Sequence, residues 1–274
     1  MPERKNFGAK VFCDNSKLEE LLSLARTGKF SVRELTGIFK CGKTTLFGIF
    51  GKNHISIPNK GRFPKIYHCN DSFFREINEF SAYWLGFIAA DGTLSWRDKN
   101  LALVLNAGDK GHLEKFLDCL NSNVKISYVL SNNSVGIRIY SKEIFSSLVR
   151  LGITPNKSLR MGNVFIPSHF SSHFIRGLFD GDGSLSGKRI THVQLQIAGY
   201  KPLLAKVQNI LITKCGVRKV KIYPLTGENK AFRLQYTGSQ IFKILDFLYE
   251  DSSDLIRLDR KYQKYLDFKR KFSK

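Results

Sequence analysis

The strongest constraint on this chain is a motif that it contains twice. His173-Phe-Ile-Arg-Gly-Leu-Phe-Asp-Gly-Asp-Gly183 is echoed by Tyr83-Trp-Leu-Gly-Phe-Ile-Ala-Ala-Asp-Gly92, which places Gly86 on Gly177, Ala90 on Gly181, Asp91 on Asp182 and Gly92 on Gly183. Each copy reads as an apolar helix that ends at a glycine. Small residues four apart, Gly86 and Ala90 in one copy and Gly177 and Gly181 in the other, lie on one face of it. Such spacing lets two helix backbones approach closely, so the copies are expected to pack on each other and bring Asp91 and Asp182 together. A carboxylate at a helix C-terminus faces the negative end of the macrodipole, and a second one beside it adds repulsion. A local rule broken twice, in register, points to function. The usual compensation is a divalent cation held by oxygen ligands.

Both stretches resemble the LAGLIDADG motif of homing endonucleases, in its two-copy, single-chain form. The second copy, Ile175-Arg-Gly-Leu-Phe-Asp-Gly-Asp-Gly183, matches well, whereas Trp84-Leu-Gly-Phe-Ile-Ala-Ala-Asp-Gly92 has Ala89 where the motif's earlier Asp would stand. The resemblance implies that Asp91 and Asp182, helped by the backbone carbonyls of Ala90 and Gly181, hold two or three Mg²⁺ ions, with Mn²⁺ as a substitute. It also implies that Lys157, in Leu151-Gly-Ile-Thr-Pro-Asn-Lys157-Ser, and its counterpart Lys261 steady the attacking water or the developing phosphate charge. The implied activity is metal-dependent hydrolysis of both strands of a long, pseudo-palindromic DNA target, read by a monomer. No His or Cys nucleophile is needed, and the six histidines form no ligand set.

The pattern downstream of each motif recurs. Strands are expected near 93–97 and 101–106, a helix over 110–120, strands at 125–130 and 135–140, and a helix at 142–151. The second copy repeats this with strands near 184–189 and 193–198, a helix at 202–213, strands at 217–223 and 232–236, and a helix at 239–249. Each half is therefore αββαββα, an α+β plan in the order that the LAGLIDADG fold uses, so the resemblance spans roughly residues 82–265. Two pseudo-symmetric halves, 81–160 and 161–274, would form a DNA-binding saddle. The second half ends in a basic C-terminal tail.

Alternation along the strands separates a buried face from a polar one. His192, Gln194 and Gln196 alternate with Val193, Leu195 and Ile197; Arg233 and Gln235 with Leu234 and Tyr236; Arg138 and Tyr140 with Ile137 and Ile139. Side chains of these types pair with base edges in a major groove, and Arg97, Arg189 and Lys221 belong to the same expected surface. The bland alternative is a plain solvated sheet. Composition decides between them: 44 Lys and Arg against 23 Asp and Glu give a net charge of +21, which suits a polyanionic partner, here double-stranded DNA. An acidic membrane surface is disfavoured because no apolar run approaches the ~20 residues of a spanning helix, and the start has no signal-peptide core. Five scattered cysteines without Cys-x-x-Cys spacing read as free thiols in a reducing compartment, cytoplasmic or an organelle matrix. The Met-Pro start and Phe-Ser-Lys end lack splicing termini, so an intein is not expected.

Residues 1–54 read as a separate helical unit. Helices are expected over 17–26, over 32–39 after the capping signature of Ser31 and Glu34, and over 43–50. Lys43, Thr44 and Thr45 open the third, so the unit resembles a helix-turn-helix whose recognition helix enters a groove; an ordinary three-helix cap is the alternative. Gly37-Ile-Phe-Lys-Cys-Gly-Lys43-Thr44 also fits the P-loop expression. That pattern cradles phosphate only when a strand precedes it, and here an amphipathic helix does, so no nucleotide cofactor is expected. Residues 55–80 read as a basic linker, in which Arg62 could follow a phosphate backbone, and a short helix over 73–80, with Ser81 as the cap of the first motif helix. A DNA-binding regulator that has lost cleavage and an RNA-binding intron maturase remain open on the same fold.

Overall fold

The computed structural model describes residues 15–27, 30, 32–55, 67–129, 132–155, 164–187, 192–225 and 231–272. The chain divides into two compact units between residues 66 and 67.

In the first unit, α1 (Asn15–Arg26), α2 (Val32–Ile38) and α3 (Lys43–Lys52) close around Leu21, Leu35, Phe39, Leu46 and Phe50. Gly37 belongs to α2 and Lys43 begins α3, so the stretch that fits the P-loop expression is helix, turn and helix. Among the described residues the unit buries few large side chains, a small core of its own.

The second unit is built on α4 (Glu79–Asp91) and α7 (Ser171–Asp182). After α4 come β1 (Thr93–Ser95), β2 (Asn100–Asn106), α5 (Lys110–Cys119), β3 (Ser127–Val129), β4 (Ser134–Tyr140) and α6 (Lys142–Arg150). After α7 the order repeats in β5 (Gly183–Ser186), β6 (Gln194–Gly199), α8 (Lys201–Cys215), β7 (Ile222–Pro224), β8 (Phe232–Thr237) and α9 (Gln240–Tyr249), and the chain closes with α10 (Asp259–Phe272). The strands form two antiparallel sheets of like topology, β1-β2-β4-β3 and β5-β6-β8-β7. One face of each is buried: Leu101, Leu103, Val135, Ile137 and Ile139 in the first, Leu195, Ile197, Leu234 and Tyr236 in the second. The α+β plan of two αββαββα halves is thus the observed one.

Five local expectations are corrected. Residues 73–78 form turns and an extended link rather than a short helix, α4 beginning at Glu79, and the cap of α4 is Asn78: its Oδ1 accepts from the Ser81 N–H, while Ser81 Oγ accepts from the Asn78 N–H, a reciprocal capping box. Ser81 is therefore the third helical residue, not the cap. The first strand stops at Ser95, because Lys99 adopts φ 48° in the tight turn to β2, and Arg97 stands exposed in that turn. The edge strand β7 pairs only over Ile222–Pro224, against the expected 217–223. The basic C-terminal stretch is the helix α10, whose Tyr265 and Phe268 are buried together with Lys261 while its other charges face outward. A sparse apolar stripe at helical spacing is enough to dock a highly charged helix.

The segments that follow α6 and α9 each cross to the opposite half. Lys206 Nζ of α8 donates to the Val164 carbonyl at 3.4 Å, and Lys115 Nζ of α5 to the Arg257 carbonyl at 3.2 Å. The second crossing is reinforced by Lys115 on Asp259 at 2.6 Å and by both Asp109 carboxylate oxygens accepting from Arg260 Nε at 2.9 and 3.1 Å.

Candidate active site and nucleic-acid interface

The site begins with two glycines. A Cβ on Gly86 would lie 2.0 Å from the Phe174 carbonyl oxygen, and one on Gly177 would lie 2.0 Å from that of Tyr83. The two helices therefore pack backbone on backbone, closer than any side chain would allow. One turn on, a Cβ at Gly181 would lie 2.3 Å from the Ala90 Cβ and 3.1 Å from Asp91 Oδ2. The C-terminal ends of α4 and α7 consequently meet, with Asp91 half-buried and Asp182 exposed.

Lys261 lies at the same place. It is buried, and its Nζ donates to the Phe179 carbonyl at 2.5 Å and the Gly183 carbonyl at 2.6 Å. These belong to the last turn of α7 and to the residue after it, where a cation is favoured by the helix dipole. Burial lowers the ammonium to about 8; Asp180, Asp91 and Asp182 oppose that shift and Arg260 adds to it. Two of its three N–H groups are thereby committed to carbonyls. Lys157 lies outside the described residues.

Beneath the aspartates is a buried polar cluster that the sequence reading missed. Asp180, the earlier Asp of the second motif, is 1% exposed. Its carboxylate accepts from the Tyr83 hydroxyl at 2.8 Å, the Tyr249 hydroxyl at 2.7 Å and the Leu258 N–H at 2.8 Å. Burial pushes its carboxyl up, against the Lys261 charge and these three donors. One helical turn earlier Arg176 is fully buried, donating Nε to the Ile256 carbonyl at 2.7 Å and Nη1 to the Leu248 carbonyl at 2.5 Å, with Nη2 2.8 Å from His173 Nδ1. Since guanidinium only donates, His173 accepts there and is neutral; burial and the Arg176 charge lower it to about 4. Arg176 and Asp180 together hold the segment 256–258, and so hold Lys261, on α7. The available signal was the contrast between copies: Leu85 and Ala89 stand where Arg176 and Asp180 do, and two charges inside an apolar helix require partners.

As metal ligands the site offers oxygen alone. No cluster of three His, Cys, Asp or Glu exists among the described residues, so a cation here would rest on Asp91, Asp182 and carbonyl oxygens such as those of Ala90 and Gly181. A hard ion that keeps several waters suits such a sparse oxygen set, and the residues present fit Mg²⁺.

The remaining expected DNA contacts fall into three groups. On the outward sheet faces are Arg138 and Tyr140 on β4, Gln194 and Gln196 on β6, and Arg233 and Gln235 on β8. In flanking loops are Arg97, His192 and Lys221, all exposed, with Lys221 Nζ 5.4 Å from the Tyr223 ring centre. In the separate N-terminal unit, Lys43 and Thr44 are exposed and Thr45 half-buried in the first turn of α3. Arg62 and Arg189 lie outside the described residues.

No protein-family model matches the chain, and no curated protein matches it. Solved structures do. The meganuclease I-SmaMI bound to uncleaveable DNA with a TTCT central four is 16% identical over 70% of this chain and 90% of its own, with a TM-score of 0.50. A mesophilic variant of the homing endonuclease I-DmoI is 19% identical over 72% and 99%, with a TM-score of 0.47. Full-length DUF199/WhiA from Thermatoga maritima is 19% identical over 71% of this chain, with a TM-score of 0.47, and this chain spans 64% of its length. At these identities the likeness is one of fold: the chain has the LAGLIDADG α+β fold.

Proposed function

We propose that this protein binds double-stranded DNA and cuts both strands at one long site by Mg²⁺-dependent phosphodiester hydrolysis, in the manner of a homing endonuclease. The observation that supports this best is that two helix ends pressed together through glycine each close on an aspartate, Asp91 and Asp182, with a buried lysine bonded to the last turn of α7. For stability alone that arrangement is unfavourable. The net charge of +21 and the fold shared with I-SmaMI, a meganuclease bound to DNA, support the choice of substrate.

In this reading the outward sheet faces bind the grooves and set the register of the duplex. Asp91 and Asp182, with the Ala90 and Gly181 carbonyls, hold the cation. Bound Mg²⁺ supplies Lewis-acid activation of water and neutralises charge on the leaving oxygen. Lys261 keeps the end of α7 in place and offsets the paired carboxylates, and Lys157 is its proposed counterpart. The N-terminal unit extends the contact through α3, and the chain acts as a monomer.

The test is cleavage of a randomised double-stranded DNA library in Mg²⁺ and in Ca²⁺, with the wild type and with Asp182→Asn. Cuts on both strands at one long site, present in Mg²⁺ and lost in the variant, are expected. Tight, salt-sensitive binding with no cutting by the wild type in Mg²⁺ would replace the nuclease with a DNA-binding regulator on the same fold.

A further inference from the structure

The two sheets are alike in register but not in chemistry. Thr93 and Ser184 each lie two residues past a helix-ending aspartate, and each begins a row across its sheet: Thr93, Ala102 and Arg138 in the first, Ser184, Gln196 and Gln235 in the second. The neighbouring outward row is Val104, Gly136 and Ser127 in the first sheet and Ala198, Arg233 and Tyr223 in the second. The positions therefore correspond pairwise, and Arg138 stands where Gln235 does, as Gly136 stands where Arg233 does.

We propose that these two rows make the DNA target depart from palindromy at two neighbouring positions. The half under the second sheet carries an A·T pair and then a G·C pair, and the half under the first carries a G·C pair and then a thymine presented by its methyl group. The proposal rests on the DNA-binding reading above and specifies its ligand.

Each assignment follows from donor and acceptor geometry. Gln196 Nε2 donates to Gln235 Oε1 at 3.1 Å, which fixes two amides side by side and leaves one amide oxygen and one amide NH₂ for a ligand. Reversing the bond between the two amides leaves the same pair of groups. One acceptor beside one donor is the complement of the adenine N6 and N7 edge, whereas the lone guanidinium of Arg138, beside Ala102, is the complement of guanine O6 and N7. In the next row the order inverts. Arg233 lies over Tyr223, its guanidinium carbon 6.0 Å from the ring centre, a stacked arginine suited to guanine. Opposite Gly136, Val104 is 56% exposed, and a Cβ on that glycine would come within 3.2 Å of Val104 Cγ2. The first sheet thus offers an exposed isopropyl group opposite a glycine, a partner for the thymine methyl and for no hydrogen-bonding edge.

The experiment is selection of bound duplexes from a randomised library by the full chain in Ca²⁺, comparing the wild type with Gln196→Ala/Gln235→Arg, which rebuilds the second sheet's row as the first sheet's. Wild-type sites should show A at one position of one half and G at its mirror position. The double variant should change that A to G, with about a tenfold reversal of relative affinity, and leave the other half unchanged. A second variant, Arg233→Gln, should change the neighbouring G to A. A misfolded variant could not acquire a new base preference, so either reversal supports the proposal. Unchanged preference at these positions in variants that still bind overturns it, as does a wild-type site with the same base at the mirror positions. Absence of any duplex binding by the wild type overturns the DNA-binding reading itself, a separate and recognisable failure.

Discussion

Tyr83 has one hydroxyl hydrogen and two polar neighbours, and that count fixes which nitrogen of His112 is a donor. The hydrogen goes to Asp180, so the tyrosine oxygen accepts from His112 Nε2 at 3.1 Å. His112 thus carries a proton on Nε2, and its buried Nδ1 has no partner to take a second one, so the imidazole is neutral. Burial first, then the charges of Lys115, Arg260 and Lys261, lower it from 6.5 to about 3. Between those two values the unfolded chain binds a proton that the folded chain refuses. The contribution of His112 is therefore complete above pH 6.5 and is lost as the pH falls, at up to about 1.4 kcal/mol per pH unit. Urea unfolding between pH 7 and 4 should show this dependence, and His112→Gln should flatten it by about 1 kcal/mol per unit; parallel curves would mean that the folded protein protonates His112. At the other end of the same chain of hydrogen bonds, Asp180→Ala leaves two tyrosine hydroxyls and the Leu258 N–H without their acceptor. A loss of about 3–5 kcal/mol is expected, measured by the same unfolding. A loss below about 1 kcal/mol would mean that the cluster relaxes onto other partners.

The helices show how much could be read in advance. Gly86 and Gly177, with Ala90 and Gly181 one turn on, announced the α4–α7 contact because small residues at fixed spacing have few other uses, and alternation along β4, β6 and β8 separated inward from outward side chains. What escaped was long-range. The cap of α4 is an asparagine three residues before Ser81, and both residue types cap helices, so composition could not choose between them. The helix α10 looked like a tail because its apolar stripe is sparse and its charges dominate. Arg176 and Asp180 were illegible as a cluster because Leu248, Ile256 and Leu258, whose backbone groups they satisfy, lie far along the chain. The central contact makes a sharp prediction. Gly86→Ala or Gly177→Ala must move a backbone carbonyl and should cost about 3 kcal/mol or more. Gly37→Ala, in the exposed last turn of α2 with nothing within 4 Å of its Cβ, should stabilise its unit by up to about 0.5–1 kcal/mol. Thermal unfolding of the three variants checks both signs at once, and a Gly177→Ala protein as stable as the wild type would refute the close approach.

At the scale of the whole molecule, the chain holds two cores of unequal size. Among the described residues, five buried side chains form the core of the first unit, whereas the second is held by one continuous core that includes α4, α7 and both sheets. Calorimetry should therefore resolve two transitions, the smaller lost when residues 1–66 are removed and the larger unchanged. A single transition would mean that the units melt as one. Within the larger unit the division of labour has an evolutionary consequence. The meeting of the two helix ends that carry Asp91 and Asp182 depends on backbone pressed against backbone at two glycines, and not on the outward side chains of the sheets. On the proposed function, lineages could drift from one target to another by replacing residues in the sheet rows while purifying selection holds Gly86 and Gly177 fixed. Under selection for a new target, accepted mutations should accumulate at Ala102, Arg138, Gln196, Arg233 and Gln235 and leave the two glycines untouched.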